Sequence, residues 1–252
     1  MPTVGEQVGR IKFISIMRTL RFIGTTLLMV VLCLNFTACG DDDDEEEVST
    51  YRRLLSASYT DEDGEVINIP IEYDTQGRIT KITWNETSRD SYEMNEYTYE
   101  SDQIIKTSSY SYDENKVVTT YKLVNGIIVS GSDRYGEYVY SYNAQNQLIK
   151  VTDNSRVYNI TWEDNNIKTI SDYTFTYSNI SYQPLIGGDL YWIDDFFDEV
   201  LFSQGFFGMR SKNLIKSMDR DDNYSYNYVV DSQGYVTKAV DSYEGYYQFN
   251  WQ

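Results

Sequence analysis

Carboxylates are the most abundant reactive groups of this chain: 39 Asp and Glu stand against 21 Lys and Arg, with no histidine, in 252 residues. Without imidazole there is no Ser-His-Asp or Cys-His triad, no histidine metal site and no ordinary base near neutral pH. Carboxylates alone can hydrolyse glycosides, when two of them are held at a set separation. Asp194, Asp195, Asp198 and Glu199 lie close enough in sequence to raise that reading. With this many acids some pair always falls near the required separation, so the pattern assigns no catalytic residue. Asp61-Glu62-Asp63-Gly64 raises calcium in a similar way. An EF-hand loop, however, needs Glu six residues beyond its glycine, and that position is Pro70. Asp-Gly between two strand-like runs reads instead as a hairpin turn. No enzymatic activity, metal site or other cofactor is expected. The two thiols, Cys33 and Cys39, both lie near the N-terminus. A chain beginning at Cys39 keeps one cysteine and can form no internal disulfide.

Cys39 is positioned by what precedes it. Arg18 and Arg21 lead into an apolar run from Phe22 to Leu34, and Thr37, Ala38, Cys39 and Gly40 follow. That order is the order of a secretion signal, and the run is shorter than the roughly 20 residues of a membrane span. We expect residues 1–38 to be the signal peptide, with Met17 as the true start. Phe36-Thr37-Ala38-Cys39 resembles a bacterial lipobox, with Phe36 where Leu is usual. The resemblance implies cleavage between Ala38 and Cys39, and lipid attachment at Cys39. The competing reading is an ordinary signal peptide with an incidental cysteine. Residues 39–50 continue with seven consecutive acids, Asp41 to Glu47. Such a run self-repels and acts as an extended tether. An acidic run directly after a lipidated cysteine also resembles the surface-export signal of Bacteroidetes-type lipoproteins. It implies an outer-membrane anchor facing the cell exterior, against the alternative of a periplasm-facing anchor.

Residues 51–252 read as one Tyr-rich β-repeat domain. Ile71-Glu72-Tyr73-Asp74-Thr75-Gln76-Gly77-Arg78-Ile79-Thr80-Lys81 recurs near the other end as Tyr228-Val229-Val230-Asp231-Ser232-Gln233-Gly234-Tyr235-Val236-Thr237-Lys238. Each copy is strand, turn, strand. Between them lie alternating runs such as Tyr97-Thr98-Tyr99, Tyr138-Val139-Tyr140-Ser141-Tyr142, Tyr173-Thr174-Phe175-Thr176-Tyr177 and Tyr224-Ser225-Tyr226-Asn227-Tyr228. Period-two alternation puts the rings on one face of a sheet and Thr, Ser and Asn on the other. The fold class is all-β: an antiparallel meander of about 14–16 short strands. That many strands leave exposed edges unless they curl, so they roll into a barrel or a strongly curved sheet. The Tyr-Asp-x-x-Gly unit, with Ile or Val and then Lys on the return, resembles YD-repeat sequences. Together with the lipobox and the acid run, it resembles an uncharacterised Bacteroidetes lipoprotein family described as having a porin-like β fold, over roughly Arg52 to Trp251. That resemblance implies no catalytic residues.

One stretch breaks the rhythm, from Gly187 to Lys216. Leu190, Ile193, Phe197, Val200 and Leu201 recur at three- and four-residue spacing, with the four acids on other faces. Asp189 fits an N-cap and Gly205 a stop, so a short helix is expected near residues 189–203. Its apolar stripe needs burial, as a plug or cap of the rolled sheet; the other reading is a lid or recognition element.

Charge narrows the partners. Taking the four basic residues and one acid of 1–38 from 21 and 39 leaves 17 and 38, a net −21. Nucleic acid is therefore excluded as a partner on electrostatic grounds. The expected partners are the membrane, through the lipid, and a glycan or protein ligand. The expected role is non-enzymatic binding or structure. The alternatives are an integral porin-like barrel, which needs a continuous apolar outer band, and a carboxylate glycan hydrolase.

Overall fold

The computed structural model describes residues 52–88, 91–154, 156–186, 197–220 and 224–252. The signal peptide, the expected start at Met17, the Ala38/Cys39 junction and the acidic run lie outside these residues, as do Asp189 and the first part of the expected helix.

Alternation produces eight hairpins: β1 (Leu54–Thr60) with β2 (Val66–Tyr73), β3 (Ile79–Glu86) with β4 (Ser91–Tyr99), β5 (Gln103–Tyr110) with β6 (Asp113–Val124), β7 (Ile127–Asp133) with β8 (Gly136–Tyr142), β9 (Leu148–Asp153) with β10 (Arg156–Glu163), β11 (Asn166–Ile170) with β12 (Tyr173–Ser181), β13 (Asn213–Asp219) with β14 (Tyr224–Val230), and β15 (Val236–Asp241) with β16 (Tyr246–Trp251). Every strand pairs antiparallel with its neighbours, and β1 pairs with β16 to close a 16-stranded barrel. The seam continues past the strands, where Arg53 and Gln252 exchange both backbone bonds at 2.8 and 2.9 Å. Closure removes the sheet edges that an open meander would leave.

The wall is apolar inside and mixed outside. Ile82, Ile104, Ile128, Leu148, Val151 and Val236 are fully buried in the interior. On the outer face Val118, Val139, Val157 and Val229 are exposed beside polar residues, several of which pair across strands. Lys81 meets Glu72 at 3.5 Å and Lys168 meets Glu163 at 3.0 Å. The hydroxyls of Thr161 and Thr169 lie 2.7 Å apart, and those of Thr176 and Ser217 2.6 Å apart.

The Asp-x-x-Gly units are turn chemistry. The Asp74 carboxylate accepts from the backbone N–H of Gln76 and Arg78, and Asp231 does the same for Gln233 and Tyr235. Gly77 and Gly234 follow at φ of +79° and +86°, a conformation that costs glycine nothing.

A second regularity runs around the barrel. At the start of seven of the eight odd-numbered strands the register slips by one residue, after Leu54, Ile79, Ile128, Leu148, Ile167, Ile215 and Val236. Each slip is a β-bulge, which takes that residue out of the regular ladder. The carbonyl at each bulge receives a donor from an aromatic side chain of the following even-numbered strand. Tyr73 donates to Leu54, Tyr99 to Ile79, Tyr142 to Ile128 and Trp162 to Leu148, at 2.6 to 2.8 Å. Tyr177 donates to Ile167, Tyr228 to Ile215 and Trp251 to Val236, at 2.5 to 2.7 Å. A buried carbonyl needs such a partner. The exception is β5, where Tyr99, Thr98 and Tyr97 oppose Ile104, Ile105 and Lys106 without a slip. On β6, in the place of the donor ring, stands Leu123. Bulge and donor are absent together.

The connection between β12 and β13 enters the lumen. Its described part contains one short helix, α1 (Glu199–Ser203), capped by the Asp198 side chain, which accepts from the Leu201 N–H at 2.8 Å. Gly205 ends it at φ +84°, as the sequence predicts. Asp198 and Glu199 do not face solvent as acids beside an apolar stripe ordinarily would; both are buried, because the barrel surrounds α1 on every side.

Candidate functional site

The two ends of the barrel differ. At the end carrying the turns after even-numbered strands, the inserted segment is stitched to the wall. The Ile79 N–H donates to the Gln204 side-chain oxygen at 2.9 Å, the Ile128 N–H to the Phe206 carbonyl at 2.8 Å, and the Met209 and Lys212 N–H groups to the Asn146 and Asn165 carbonyls at 2.8 and 2.9 Å. Gly208 sits so close to Asn146 that a Cβ would collide with its carbonyl oxygen. Inside, Phe207 is fully buried, with its ring 5.0 Å from Tyr140 and 5.5 Å from Phe197. The described part of the segment, from 197 on, thus packs inside the barrel as a plug.

Among the described residues, the other end is open. Three cavities of about 370, 500 and 260 Å³ lie there. The first and third share Tyr110 and Tyr112, and the second and third share Ile67 and Trp84. They are lobes of one mouth. Phe197, Asp198 and Glu199 contribute to its floor. The turn residues Tyr112, Tyr135 and Tyr243 stand on its rim, 81%, 66% and 51% exposed.

The best-defined charged contact is on the floor of the first lobe. Lys106 Nζ lies 2.7 Å from Asp198 Oδ2, with the two side chains 15% and 2% exposed. The Tyr97 hydroxyl reaches both Asp198 oxygens at 3.1 and 3.2 Å. Lys106 faces inward because β5 lacks the bulge that turns Lys81, Lys150 and Lys238 outward. Each oxygen of Asp198 thus has two contacts, so its side chain ties the plug to β4 and β5. Burial raises the Glu93 carboxyl; Lys106 and the Asn95 amide oppose this, and Asp198 adds to it. Burial likewise pushes up the phenols of Tyr110, Tyr138 and Tyr140. The mouth therefore offers neutral phenols and ring faces, with Arg134 near Asp113 at 3.8 Å as a second charged pair.

No protein family matches the chain's sequence, and no curated protein matches it. Among solved structures it is similar to a porin-like protein from Bacteroides uniformis, at 18% identity and a TM-score of 0.57, covering 79% of this chain and 96% of that one. The fold is shared. A porin-like protein from Bacteroides vulgatus is also found, at 13% identity and a TM-score of 0.34, over 79% and 98% of the two chains. The closed barrel shared with the Bacteroides uniformis protein agrees with the porin-like β fold that the family resemblance implies.

Sequence reasoning directed attention to Gly187–Lys216, and that segment supplies the floor of the mouth. It missed Lys106, Glu93 and the rim tyrosines. Lys106 had a visible signal: in Ile104-Ile105-Lys106 the lysine follows its aliphatic residue as in the other repeats, yet the next even strand carries Leu123 in place of a donor ring. A glycan platform would present three or more coplanar rings. The neighbouring pairs at the mouth, Tyr59–Tyr247, Tyr110–Tyr112 and Tyr224–Tyr243, are tilted by 36°, 35° and 37°. No flat stacking platform is formed by these pairs.

Proposed function

We propose that this chain is a lipoprotein of the YD-repeat-like kind, anchored in the outer membrane through Cys39 and facing the cell exterior, whose barrel is a non-enzymatic binding cup. The observation that carries this is the polarity of the wall. An integral barrel presents an apolar band to lipid and keeps its polar groups in the lumen. This wall keeps Ile, Leu and Tyr inside; outside, Lys–Glu and Thr–Thr pairs stand among exposed valines that are interleaved with Thr and Lys (Val139 and Val157 flank Thr152, and Val229 opposes Lys238), so no continuous apolar band is formed by these positions. Such a barrel belongs in water, and the lipid at Cys39 holds it to a membrane. The plug at one end and the lobed mouth at the other favour holding a ligand over passing one through. Saturation of Asp198 by Lys106, Tyr97 and a helix N–H supports a structural role for the acid nearest the centre.

The test is to express the chain in a Bacteroidetes host with a palmitate analogue. The wild type takes up label, Cys39→Ser does not, and protease added to intact cells removes the barrel. Residues 52–252 made without the leader stay in solution without detergent. Label on Cys39→Ser, or a barrel that needs detergent to remain in solution, contradicts the proposal.

A further inference from the structure

We propose that the 500 Å³ lobe of the mouth binds a small organic cation carrying an alkylammonium group. This rests on the binding-cup reading and names the ligand class of one lobe.

The lobe lies between the turns that join β1 to β2 and β15 to β16. Its volume of about 500 Å³ is that of a small-molecule site. Five aromatic rings line it: Tyr59, Trp84, Tyr224, Tyr243 and Tyr247. Four carboxylates join them, Asp61, Glu62, Asp63 and Asp241, and no Lys or Arg is among the described lining residues. The first lobe differs, because there Lys106 and Arg134 accompany Asp113, Asp133 and Asp198.

Ring faces carry negative potential and attract cations within about 6 Å of the centroid. Elsewhere in this barrel the chain supplies the cation itself. Arg78 lies over Tyr99 at 4.4 Å, Arg134 over Tyr135 at 4.8 Å and Arg220 over Tyr173 at 4.8 Å. In this lobe the rings come with acids instead. The potential is felt by the phenols: the Tyr59 hydroxyl is pushed up to about 12 by burial first, and then by Asp241, Asp61 and Glu62. Asp241 is committed to its turn, accepting from the Tyr243 and Gly245 N–H groups. Glu62 and Asp63 are exposed on the turn at the lip, with side chains open to an incoming charge. A neutral sugar stacks on the rings and can donate hydroxyls to the acids, but brings no charge to balance theirs. A phosphate or carboxylate would be repelled. An ammonium group with an alkyl body gains from both.

The test uses the full chain in a non-ionic detergent, titrated calorimetrically with choline and with 3,3-dimethylbutanol, a neutral compound of the same shape. Choline binds, the neutral compound binds at least tenfold more weakly, and Tyr243→Ala and the double change Glu62→Gln/Asp63→Asn each weaken choline at least tenfold with the thermal midpoint unchanged. Equal binding of the two compounds, no binding of choline, or choline binding that survives both variants overturns the inference. If choline fails while another small molecule is retained and lost on substitution of Tyr112 and Tyr135, the cup stands and the cation site falls.

Discussion

Lys106 Nζ meets Asp198 Oδ2 at 2.7 Å inside the barrel, joining β5 to the N-cap of the plug helix. The contact exists because the ladder from Tyr97 to Tyr99 against Ile104 to Lys106 is unbroken, so the lysine keeps the inward face. Removing one member of a buried pair leaves the other charged and uncompensated, at a cost of about 3 kcal/mol. Lys106→Met is therefore expected to lower the unfolding free energy from urea titration by that much, and adding Asp198→Asn to recover a large part of it, since Asn still caps a helix. A loss below about 0.5 kcal/mol in the single variant, as for an exposed pair, would show that the contact does not hold the plug.

The ring of aromatic donors makes a paired prediction. Tyr142→Phe and Tyr177→Phe each strip a donor from a carbonyl at a bulge while keeping the ring. Leaving a buried acceptor unsatisfied costs about 1–3 kcal/mol. Leu123→Tyr places a donor where no bulge exists, and is expected to give no stabilisation. The three variants, compared by chemical denaturation, separate bulge satisfaction from aromatic packing. Equal effects from removing and adding a hydroxyl would mean that packing alone sets stability here.

Much of this architecture is legible in the sequence. Alternation of Tyr with Thr, Ser and Asn gives the strands, their antiparallel order and which face turns inward, and Asp-x-x-Gly gives the turns. The helix stop at Gly205 is equally readable. What is not legible is register. A bulge of one residue decides whether a lysine two places after an aliphatic residue faces water, as Lys81 does, or the lumen, as Lys106 does. Nothing within one strand encodes that choice, since the carbonyl it frees is satisfied by a ring on another strand. The burial of Asp198 and Glu199 was hidden for a related reason: inside a barrel the helix has wall on the faces that would otherwise meet solvent, and Asp198 is met there by Tyr97 and Lys106, about a hundred positions away.

Alkali is expected to destabilise the barrel through its phenols. Burial raises the Tyr59 and Tyr73 hydroxyls from 10.0 to about 12, with Asp241 adding to the first and Arg53 opposing the second. Between these values the folded state holds protons that the unfolded state has lost. Stability is then full below pH 10 and falls as the pH rises through 12. Denaturation midpoints across pH 7 to 12.5, beside the tyrosinate absorbance, check this. A midpoint that rises with alkali would contradict the sign.

The central claim is that the open mouth is a binding site on a water-facing barrel. Its most direct measurement is an array of glycans and small metabolites probed with residues 52–252, wild type beside Tyr112→Ser/Tyr135→Ser and Tyr243→Ala. The residues of the double variant stand exposed on the rim, Tyr112 beside Tyr110 and Tyr135 beside Arg134. Retention of at least one ligand by the wild type is expected, with a loss of tenfold or more, about 1.4 kcal/mol, in the double variant for a ligand of the first lobe or in Tyr243→Ala for a ligand of the second. A wild-type barrel that retains nothing, or a ligand held equally by the wild type, the double variant and Tyr243→Ala, would contradict it.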